Sequence, residues 1–175
     1  MGPTPFSTRG LAPAPRPVPT RGTCDPGRMG DYAAGMAREQ RVYAVAGRPD
    51  VRIHVRDLGL ACCAVEFAAA IGRGLLVPAS PDPGTSDSGT AAVLVVSGTV
   101  TDALAPEVVA AWEALPEPKA AVSFGACSNS GGPYWDSYSV TKGVDRVIPV
   151  STYVPGCPPR PEALVDALVS LVVPA

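Results

Sequence analysis

Three short apolar runs, rich in β-branched residues, recur along the second half of the chain. They cover Ala92 to Val96, Ala120 to Phe124 and Arg146 to Val150, and a serine or glycine follows each of them. Runs of this length that end at a turn-forming residue are typical of buried strands entering a loop. We therefore predict three strands here.

Helical stretches alternate with these strands, and they cover Ala64 to Ile71, Pro106 to Leu115 and Pro161 to Val173. Pro106 suits the first position of a helix, and Glu162 places an acid in a first turn. Strands that alternate with helices predict a parallel sheet covered on both faces. The predicted fold is α/β, a three-layer domain with a short parallel sheet of flavodoxin-like type.

Two segments show no apolar periodicity. Residues 1–49 are rich in proline and arginine, with seven prolines in the first 26 residues, and are predicted to be a disordered extension. Residues 50–175 are then the folded domain. Within it, Pro78 to Thr90 is predicted to be a surface loop because prolines, glycines and serines dominate it.

Composition narrows the classes of function. The chain has 175 residues, 46% of them hydrophobic, which is enough for one core, and a net charge of -2 does not favour nucleic acid as a partner. Five cysteines leave one over in any disulfide scheme, so we expect reduced thiols in the cytoplasm. No apolar stretch approaches the ~20 residues of a membrane-spanning helix, so membrane association is expected through partners.

Four of the cysteines stand at element boundaries. Cys62 and Cys63 precede a predicted helix, Cys127 follows a predicted strand, and Cys157 follows another through a glycine and proline turn. Ligands bind at the carboxyl ends of strands in open α/β sheets. This pattern predicts a ligand site, with buried structural thiols as the plain alternative.

The spacing favours an iron–sulfur cluster over zinc. Zinc sites usually pair cysteines two to four residues apart, and no such pair exists here. Adjacent cysteines point in different directions, which suits the separate irons of a cubane better than one small ion. Cys157 is followed by a proline, a recurring feature of iron–sulfur ligation.

Three motifs surround these cysteines: Gly-Leu-Ala-Cys-Cys-Ala-Val-Glu at 59–66, Gly-Ala-Cys-Ser-Asn-Ser-Gly-Gly at 125–132, and Val-Pro-Gly-Cys-Pro-Pro-Arg-Pro-Glu-Ala at 154–163. In this order they resemble the small iron–sulfur subunit of respiratory complex I, the 20 kDa subunit family of NADH-quinone oxidoreductase. The resemblance covers about Asp57 to Leu168.

This resemblance implies an electron-transfer subunit of an NADH:quinone oxidoreductase, which is not catalytic alone. Cys62, Cys63, Cys127 and Cys157 would hold one [4Fe–4S] cluster, the last before quinone. Partners would be the large hydrogenase-like subunit and other peripheral-arm and membrane-arm subunits. The chain would lie on the cytoplasmic side of the cell membrane, and membrane partners would translocate protons.

Other polar residues have two interpretations each. Glu66 could take part in redox-linked protonation or form an ion pair at a helix terminus. Asp136 and Tyr138 could face the quinone region or belong to a solvated turn. Arg160 fits a partner carboxylate or an ion pair at a helix start. The two remaining residues are expected to stand outside the site: His54 at the surface and Cys24 as a free thiol.

Two departures from the family pattern leave alternatives open. Ser80 to Gly84 carries an acid where the family has a basic segment, and His54 to Leu58 replaces an aromatic, proline-bearing approach to the tandem cysteines. A divergent paralogue acting as an assembly or interaction subunit is therefore one alternative. The other is the small subunit of a related membrane-bound hydrogenase-type complex, although those separate their first two cysteines.

Overall fold

The computed structural model describes residues 40–80 and 91–172. Its strands are β1 (Arg41–Val45), β2 (Arg48–Gly59), β3 (Leu76–Ala79), β4 (Ala92–Ser97), β5 (Lys119–Phe124) and β6 (Thr152–Val154). Its α-helices are α1 (Cys63–Gly72), α2 (Ala105–Glu113), α3 (Ala126–Ser130) and α4 (Pro161–Val172), and two 3-10 turns lie at Gly132–Tyr134 and Val144–Arg146.

All six strands form one sheet in the order β3-β1-β2-β4-β5-β6. The four strands β2, β4, β5 and β6 are parallel to one another, whereas β1 pairs antiparallel with both β2 and β3. The parallel strands point their carboxyl ends toward one edge. That edge carries the turns into α1 and α3 and the segment after β6.

Helices cover both faces of the sheet. Val93 and Val95 of β4 pack with α1 and α4 in one buried cluster, whereas Leu94 and Val96 pack with α2 in another. This alternation arises because successive side chains of a strand point to opposite faces. The predicted three-layer α/β architecture is confirmed.

Most predicted elements of the domain are confirmed, but one strand is wrong. The strands near 92–97 and 119–124 and all three helices form where expected, whereas Arg146 to Val150 contains the end of a 3-10 turn and no strand. Its apolar residue Ile148 is buried against the α2 face without any strand pairing. The parallel strand that follows β5 is instead β6, which pairs with β5 from Thr152 onward.

The sequence patterns missed the antiparallel part of the sheet. β1 and the first residues of β2 lie within the range 41–49 that was predicted to belong to the disordered extension, so the folded unit begins before residue 50. Pro78 and Ala79, predicted to start a loop, end β3 instead. Residues 1–39, with most of the predicted extension, and 81–90, with most of the predicted loop, lie outside the described residues.

No helix in the described ranges is long and apolar enough to cross a membrane.

Candidate functional site

A short turn between β2 and α1 positions the tandem cysteines. The backbone N–H groups of Leu60 and Ala61 both donate to the Ser97 carbonyl at the end of β4, at 3.0 and 3.2 Å. Cys62 follows as the exposed N-cap of α1, and Cys63 is the first helical residue, with 1% of its surface exposed. The two thiols therefore lie at the amino end of α1.

Gly98 lets the loop after β4 pack directly on this turn. Its φ of 125° lies in the region that favours glycine, and a Cβ there would be 2.6 Å from Ala61 Cβ and 2.7 Å from its backbone nitrogen. Any larger residue would displace the turn. The tandem cysteines are thus held by β4 although that strand contributes no cysteine.

Backbone hydrogen bonds tie Cys127 and Cys157 to each other's segments. The N–H of Gly125 donates to the Val154 carbonyl at 2.9 Å, and the N–H of Ala126 donates to the Gly156 carbonyl at 2.7 Å. Cys127 is buried in α3, and Cys157 is exposed in the turn after β6, where its peptide bond to Pro158 is cis. The start of α3 and the turn after β6 therefore form one unit.

A buried polar network reinforces this unit. Ser123 and Ser128, both 0% exposed, are hydrogen bonded through their hydroxyl oxygens at 2.8 Å. Ser123 also donates to Asn129 Oδ1 at 2.6 Å, and Asn129 Nδ2 donates to the Val154 carbonyl at 3.2 Å. Because buried polar groups that satisfy one another are rigid, the network fixes where Cys127 sits relative to β6.

Gly125 is the point where the two halves of the site meet. Its φ is 97°, and a Cβ built on it would collide with the Cys63 sulfur and lie 3.4 Å from Pro159 Cδ. Only glycine leaves space for that sulfur while adopting this backbone conformation. The start of α1 and the turn before α3 are therefore in direct contact at Cys63.

The four thiols share one electrostatic environment. Burial raises the pKa of the Cys63 thiol to about 12, and the charges of Cys62, Cys127 and Cys157 and a side-chain hydrogen bond to Cys62 act in the same direction. The other three thiols affect the pKa of Cys63 because they lie within electrostatic range of it. A cationic centre bound by the four thiols would lower the pKa of Cys63 and allow its thiol to ionise.

The donor set fits an iron–sulfur cluster better than a single metal ion. Among the described residues, no group of three or more histidine, cysteine or acidic side chains is arranged to hold one metal ion. A single zinc ion needs every sulfur about 2.3 Å from one point, whereas a cubane presents a separate iron to each thiolate. The adjacent thiols of Cys62 and Cys63, with Cys127 and Cys157 within electrostatic range of Cys63, suit the second arrangement.

The other residues singled out from the sequence lie around this edge or away from it. Glu66 is half-buried in the first turn of α1, and Arg160 is exposed directly before α4. Asp136 and Tyr138 are exposed, Tyr138 almost fully at 97%. His54 is half-buried on β2 and pairs in register with Val42 and Ala92. Cys24 lies outside the described residues.

The sequence patterns did not single out the acid that is hydrogen bonded to Ser97, the residue whose carbonyl holds the turn before the tandem cysteines. Ser97 Oγ donates to Asp57 Oδ1 at 2.7 Å, and burial raises the pKa of Asp57 to about 6 against the opposing effect of this hydrogen bond. The sequence did contain a sign that Asp57 points inward, because side chains alternate between the two faces of a strand. Ile53, Val55 and Asp57 therefore share one face of β2. The first two are buried in the core that contains Cys63.

Comparison with known proteins identifies relatives that all carry the name of the same oxidoreductase. The family model of the NADH ubiquinone oxidoreductase 20 kDa subunit matches residues 60–171. The NADH-quinone oxidoreductase B 2 subunit of Streptomyces griseus is 48% identical over 97% of this chain and 71% of that protein. The corresponding B 1 subunit of Salinispora tropica is 55% identical over 67% of this chain and 63% of that protein.

A solved structure shares the fold. It is that of the membrane-bound sulfane sulfur reductase, an archaeal respiratory membrane complex, with 28% sequence identity and a TM-score of 0.52. The match covers 80% of this chain and 73% of that chain.

The fold and the cysteine-bearing edge define a class: small α/β proteins that gather thiols at the carboxyl ends of parallel strands. Within that class, this chain belongs to the family of the 20 kDa subunit of NADH ubiquinone oxidoreductase, since the family model covers most of it. Its relatives are subunits of an oxidoreductase complex.

Proposed function

We propose that this chain is the electron-transfer subunit of a complex I-type NADH:quinone oxidoreductase. Cys62, Cys63, Cys127 and Cys157 would hold one [4Fe–4S] cluster, which takes up and releases single electrons when it is bound. The chain would pass electrons from upstream iron–sulfur clusters to quinone. The observation that carries this proposal is the common environment of the four thiols around Cys63, in a chain 48% identical to a known NADH-quinone oxidoreductase subunit.

The protein's own residues would hold the cofactor from two sides. Cys62 and Cys63 approach from the amino end of α1, and the unit of α3 and the turn after β6 brings Cys127 and Cys157. Ser97 holds the first pair through its carbonyl, and Asn129 links the segments of the second pair. The space left by Gly125 allows the two sides to meet.

Burial differs across the site, and this suggests how electrons pass. Cys63 and Cys127 are buried, whereas Cys62 and Cys157 are exposed. The buried thiols lie on the core side of the site, and the exposed thiols face a surface on which a partner would sit. In the complex that partner would be the large hydrogenase-like subunit, with quinone at the interface between the two chains.

The cellular location of the chain and its link to proton translocation would both depend on its partner subunits. The chain would attach peripherally to the cytoplasmic side of the cell membrane through peripheral-arm and membrane-arm subunits. Proton translocation would belong to the membrane subunits, which electron transfer through this chain helps to drive. The structural relative from an archaeal respiratory membrane complex is compatible with this arrangement.

A second candidate function is supported by the same relative. Its complex is a sulfane sulfur reductase, so a chain of this fold serves a respiratory assembly with a different named activity. The altered segment His54 to Leu58 of this chain fits a divergent paralogue as well. An assembly or interaction subunit, or a small subunit of a hydrogenase-type complex, would keep the cysteines without reducing quinone.

The cofactor is tested by anaerobic purification of the full chain, with iron and acid-labile sulfide analysis and EPR of the reduced protein. We expect iron and sulfide in equal amounts and a cubane signal that Cys63→Ser abolishes or alters. Zinc without iron, or an unchanged signal in Cys63→Ser, would contradict the ligand assignment.

A matched glycine pair tests the space around Cys63. Gly125→Ala places a methyl group against the Cys63 sulfur, so iron content should fall to a small fraction of that of the parent protein. Gly72→Ala in α1 meets nothing within 4 Å and has no strained φ, so iron content should not change. Equal iron content in the two variants would refute the role given to Gly125.

The electron acceptor needs a separate experiment. The loaded chain is reconstituted with its partner subunits, and NADH-dependent reduction of the cluster and of quinone are followed together. Turnover of quinone supports the first candidate function. Cluster reduction without quinone turnover would favour the second.

A further inference from the structure

Residues 131–137 form a cap over the buried thiol of Cys127. The cap begins where α3 ends, because the N–H of Gly131 donates to the Cys127 carbonyl at 2.9 Å. Gly132 then lies against the cysteine: a Cβ built on it would be 3.0 Å from the Cys127 sulfur and 2.9 Å from its backbone nitrogen. The backbone of Gly132 therefore covers one side of this sulfur.

The cap has little apolar packing of its own. Three backbone hydrogen bonds of 3.0–3.2 Å form its turns. Tyr134 and Trp135 are 54% and 66% exposed, and Pro133 and Asp136 are exposed as well. None of the four belongs to the buried clusters that the described residues form. Because segments with few buried apolar contacts open easily, a polar contact has to hold the cap in place.

Lys142 supplies this contact. Its ammonium group donates to the carbonyl of Ser137 at 2.7 Å and also to the carbonyl of Trp135. Neither carbonyl accepts a backbone N–H from the described residues. Within the same residues Lys142 forms no ion pair, so its donors are available to these two carbonyls. One side chain thus joins both carbonyls at the end of the cap.

The backbone on both sides of Lys142 is anchored next to the site. The N–H of Thr141 donates to the Val100 carbonyl, in the loop after β4, at 3.0 Å. Gly143 has a φ of 120° and lies against α3, since a Cβ there would be 2.7 Å from the Asn129 carbonyl oxygen. Lys142 therefore extends from a fixed position beside the helix that carries the third cysteine.

We propose that Lys142 is a positioning residue of the four-cysteine site, which holds the cap on Cys127 and so keeps water and oxidants from that thiol. This inference rests on the proposed function, in which Cys127 is one of the four ligands. Lys142 acts through the cap, because Gly132 and not the lysine lies against the sulfur.

The chemistry of lysine suits this role. An ammonium group carries three donors on a long stem, so it can reach two carbonyls at once. Hydrogen bonds from an ionised donor are roughly twice as strong as those between neutral groups. A guanidinium group can replace it as a donor, whereas a methionine side chain of similar length cannot donate.

Alkylation of the metal-free full chain under anaerobic conditions tests the cap without the cofactor. In Lys142→Met, iodoacetamide should label Cys127 at least about tenfold faster than in the parent protein, because the cap is no longer held. Lys142→Arg should restore slow labelling. Cys63 is the internal control, because it is buried in the other half of the site and its labelling rate should not change.

Two further variants sharpen this test. Arg146→Met is the matched control, because it removes an exposed cation from the surface cavity that Lys142 also lines and should leave the labelling of Cys127 unchanged. Gly132→Ala displaces the cap without altering the lysine, since its methyl group would meet Cys127 and its φ of 54° favours glycine. It should speed labelling of Cys127 as Lys142→Met does.

The loaded chain gives a second readout. On exposure to air, the visible absorbance of the cluster should decay several-fold faster in Lys142→Met than in the parent protein. Lys142→Arg and Arg146→Met should decay at the parent rate.

The outcomes separate this inference from the proposed function. Slow labelling of Cys127 in Lys142→Met and Gly132→Ala would overturn the role of Lys142. Equal acceleration at Cys63 and Cys127 would indicate general loosening of the fold and would overturn it as well. A preparation that binds no iron would overturn the proposed cofactor, whereas the labelling of the metal-free chain decides independently whether Lys142 holds the cap.

Discussion

At the scale of single residues, the four thiols differ in how easily a reagent reaches them. Cys62 and Cys157 are exposed, whereas Cys63 and Cys127 are buried, and the pKa of Cys63 is raised to about 12. Thiolates, rather than thiols, react with alkylating agents. These differences lead to a direct chemical prediction for the metal-free protein.

Iodoacetamide should label Cys62 and Cys157 first and Cys63 at least about tenfold more slowly, because Cys63 is both buried and un-ionised at neutral pH. The labelling rates can be read by tandem mass spectrometry, which separates the two adjacent positions. A Cys62→Ser variant controls for blocking of Cys63 by a label on its neighbour. Equal labelling rates at Cys62 and Cys63 would contradict the burial described for Cys63.

Asp57 should make stability depend on pH in a defined direction. Its pKa is raised from 3.8 to about 6 in the folded chain, so folding favours the neutral acid, and the stability it contributes is present below pH ~4 and lost as pH rises through 6. Asp57→Asn should therefore raise the free energy of unfolding at pH 8 by about 1–2 kcal/mol and leave it unchanged near pH 4.

Urea unfolding of the metal-free chain at pH 4, 6 and 8 measures this difference. The exposed Asp166 of α4 provides the control, because Asp166→Asn should show no such pH dependence. A stabilisation by Asp57→Asn that is as large at pH 4 as at pH 8 would contradict the assigned direction.

Sequence reasoning at this scale located the cysteines but not their supports. The position of Cys127 at a strand end and that of Cys62 and Cys63 at a helix start followed from the order of strands, helices and turns, whereas Cys157 follows β6 and not the strand predicted at Arg146 to Val150. The hydrogen bonds from Ser97 to Asp57 and from Asn129 to Val154 did not follow from that order, because each joins residues more than twenty positions apart in the chain. Local patterns carry no information about such pairs until the strand order is known.

At the scale of elements, α4 is the helix that closes the face of the sheet nearest to Cys63. Leu164 and Leu168 are 0% exposed and belong to the same buried cluster as Cys63 and Phe67. The helix is amphipathic, with Asp166 and Ser170 on its exposed side. Its apolar side therefore supports the start of α1.

Leu164→Ala should lower the free energy of unfolding by about 2–5 kcal/mol, because it leaves a cavity where the chain is fully packed. Asp166→Ala, two positions along the same helix, should change it by less than about 0.5 kcal/mol. Chemical denaturation followed by circular dichroism measures both. A loss below about 1 kcal/mol in Leu164→Ala would show that α4 packs more loosely than described.

Helices with local start signals were predictable, and strands defined by pairing were not. The three predicted helices formed where apolar stretches carry an acid or a proline in the first turn, namely Glu66, Pro106 and Glu162. The run from Arg146 to Val150 has the composition of a strand but buries Ile148 without pairing, whereas the short β6 forms because β5 offers it an edge. β1 and β3 were missed because antiparallel pairing with distant partners, rather than local composition, defines them.

At the scale of the whole molecule, the proposed cofactor would join segments that are distant along the chain. A ligand that binds only the folded state stabilises it to an extent set by its affinity. Since the four cysteines come from the start of α1, from α3 and from the turn after β6, cofactor binding would connect both halves of the parallel sheet.

Removing the cofactor anaerobically with a chelator and oxidant should therefore lower the melting temperature by about 5–10 °C. Differential scanning calorimetry of the loaded and metal-free full chain measures the shift. Cys63→Ser, which lacks one ligand, should melt like the metal-free parent in either treatment. Identical melting temperatures of the loaded and metal-free parent would mean that the cofactor does not join the two halves.

The dependence of the β2–α1 turn on the Ser97 carbonyl also has a consequence for biosynthesis. The ribosome delivers Cys62 and Cys63 well before Ser97, and Cys157 follows only after β6. A growing chain thus offers unplaced thiols, and the complete set exists only after the last parallel strand has joined the sheet. Of the described elements only α4 follows Cys157, so the cofactor that we propose would bind after the parallel sheet is complete.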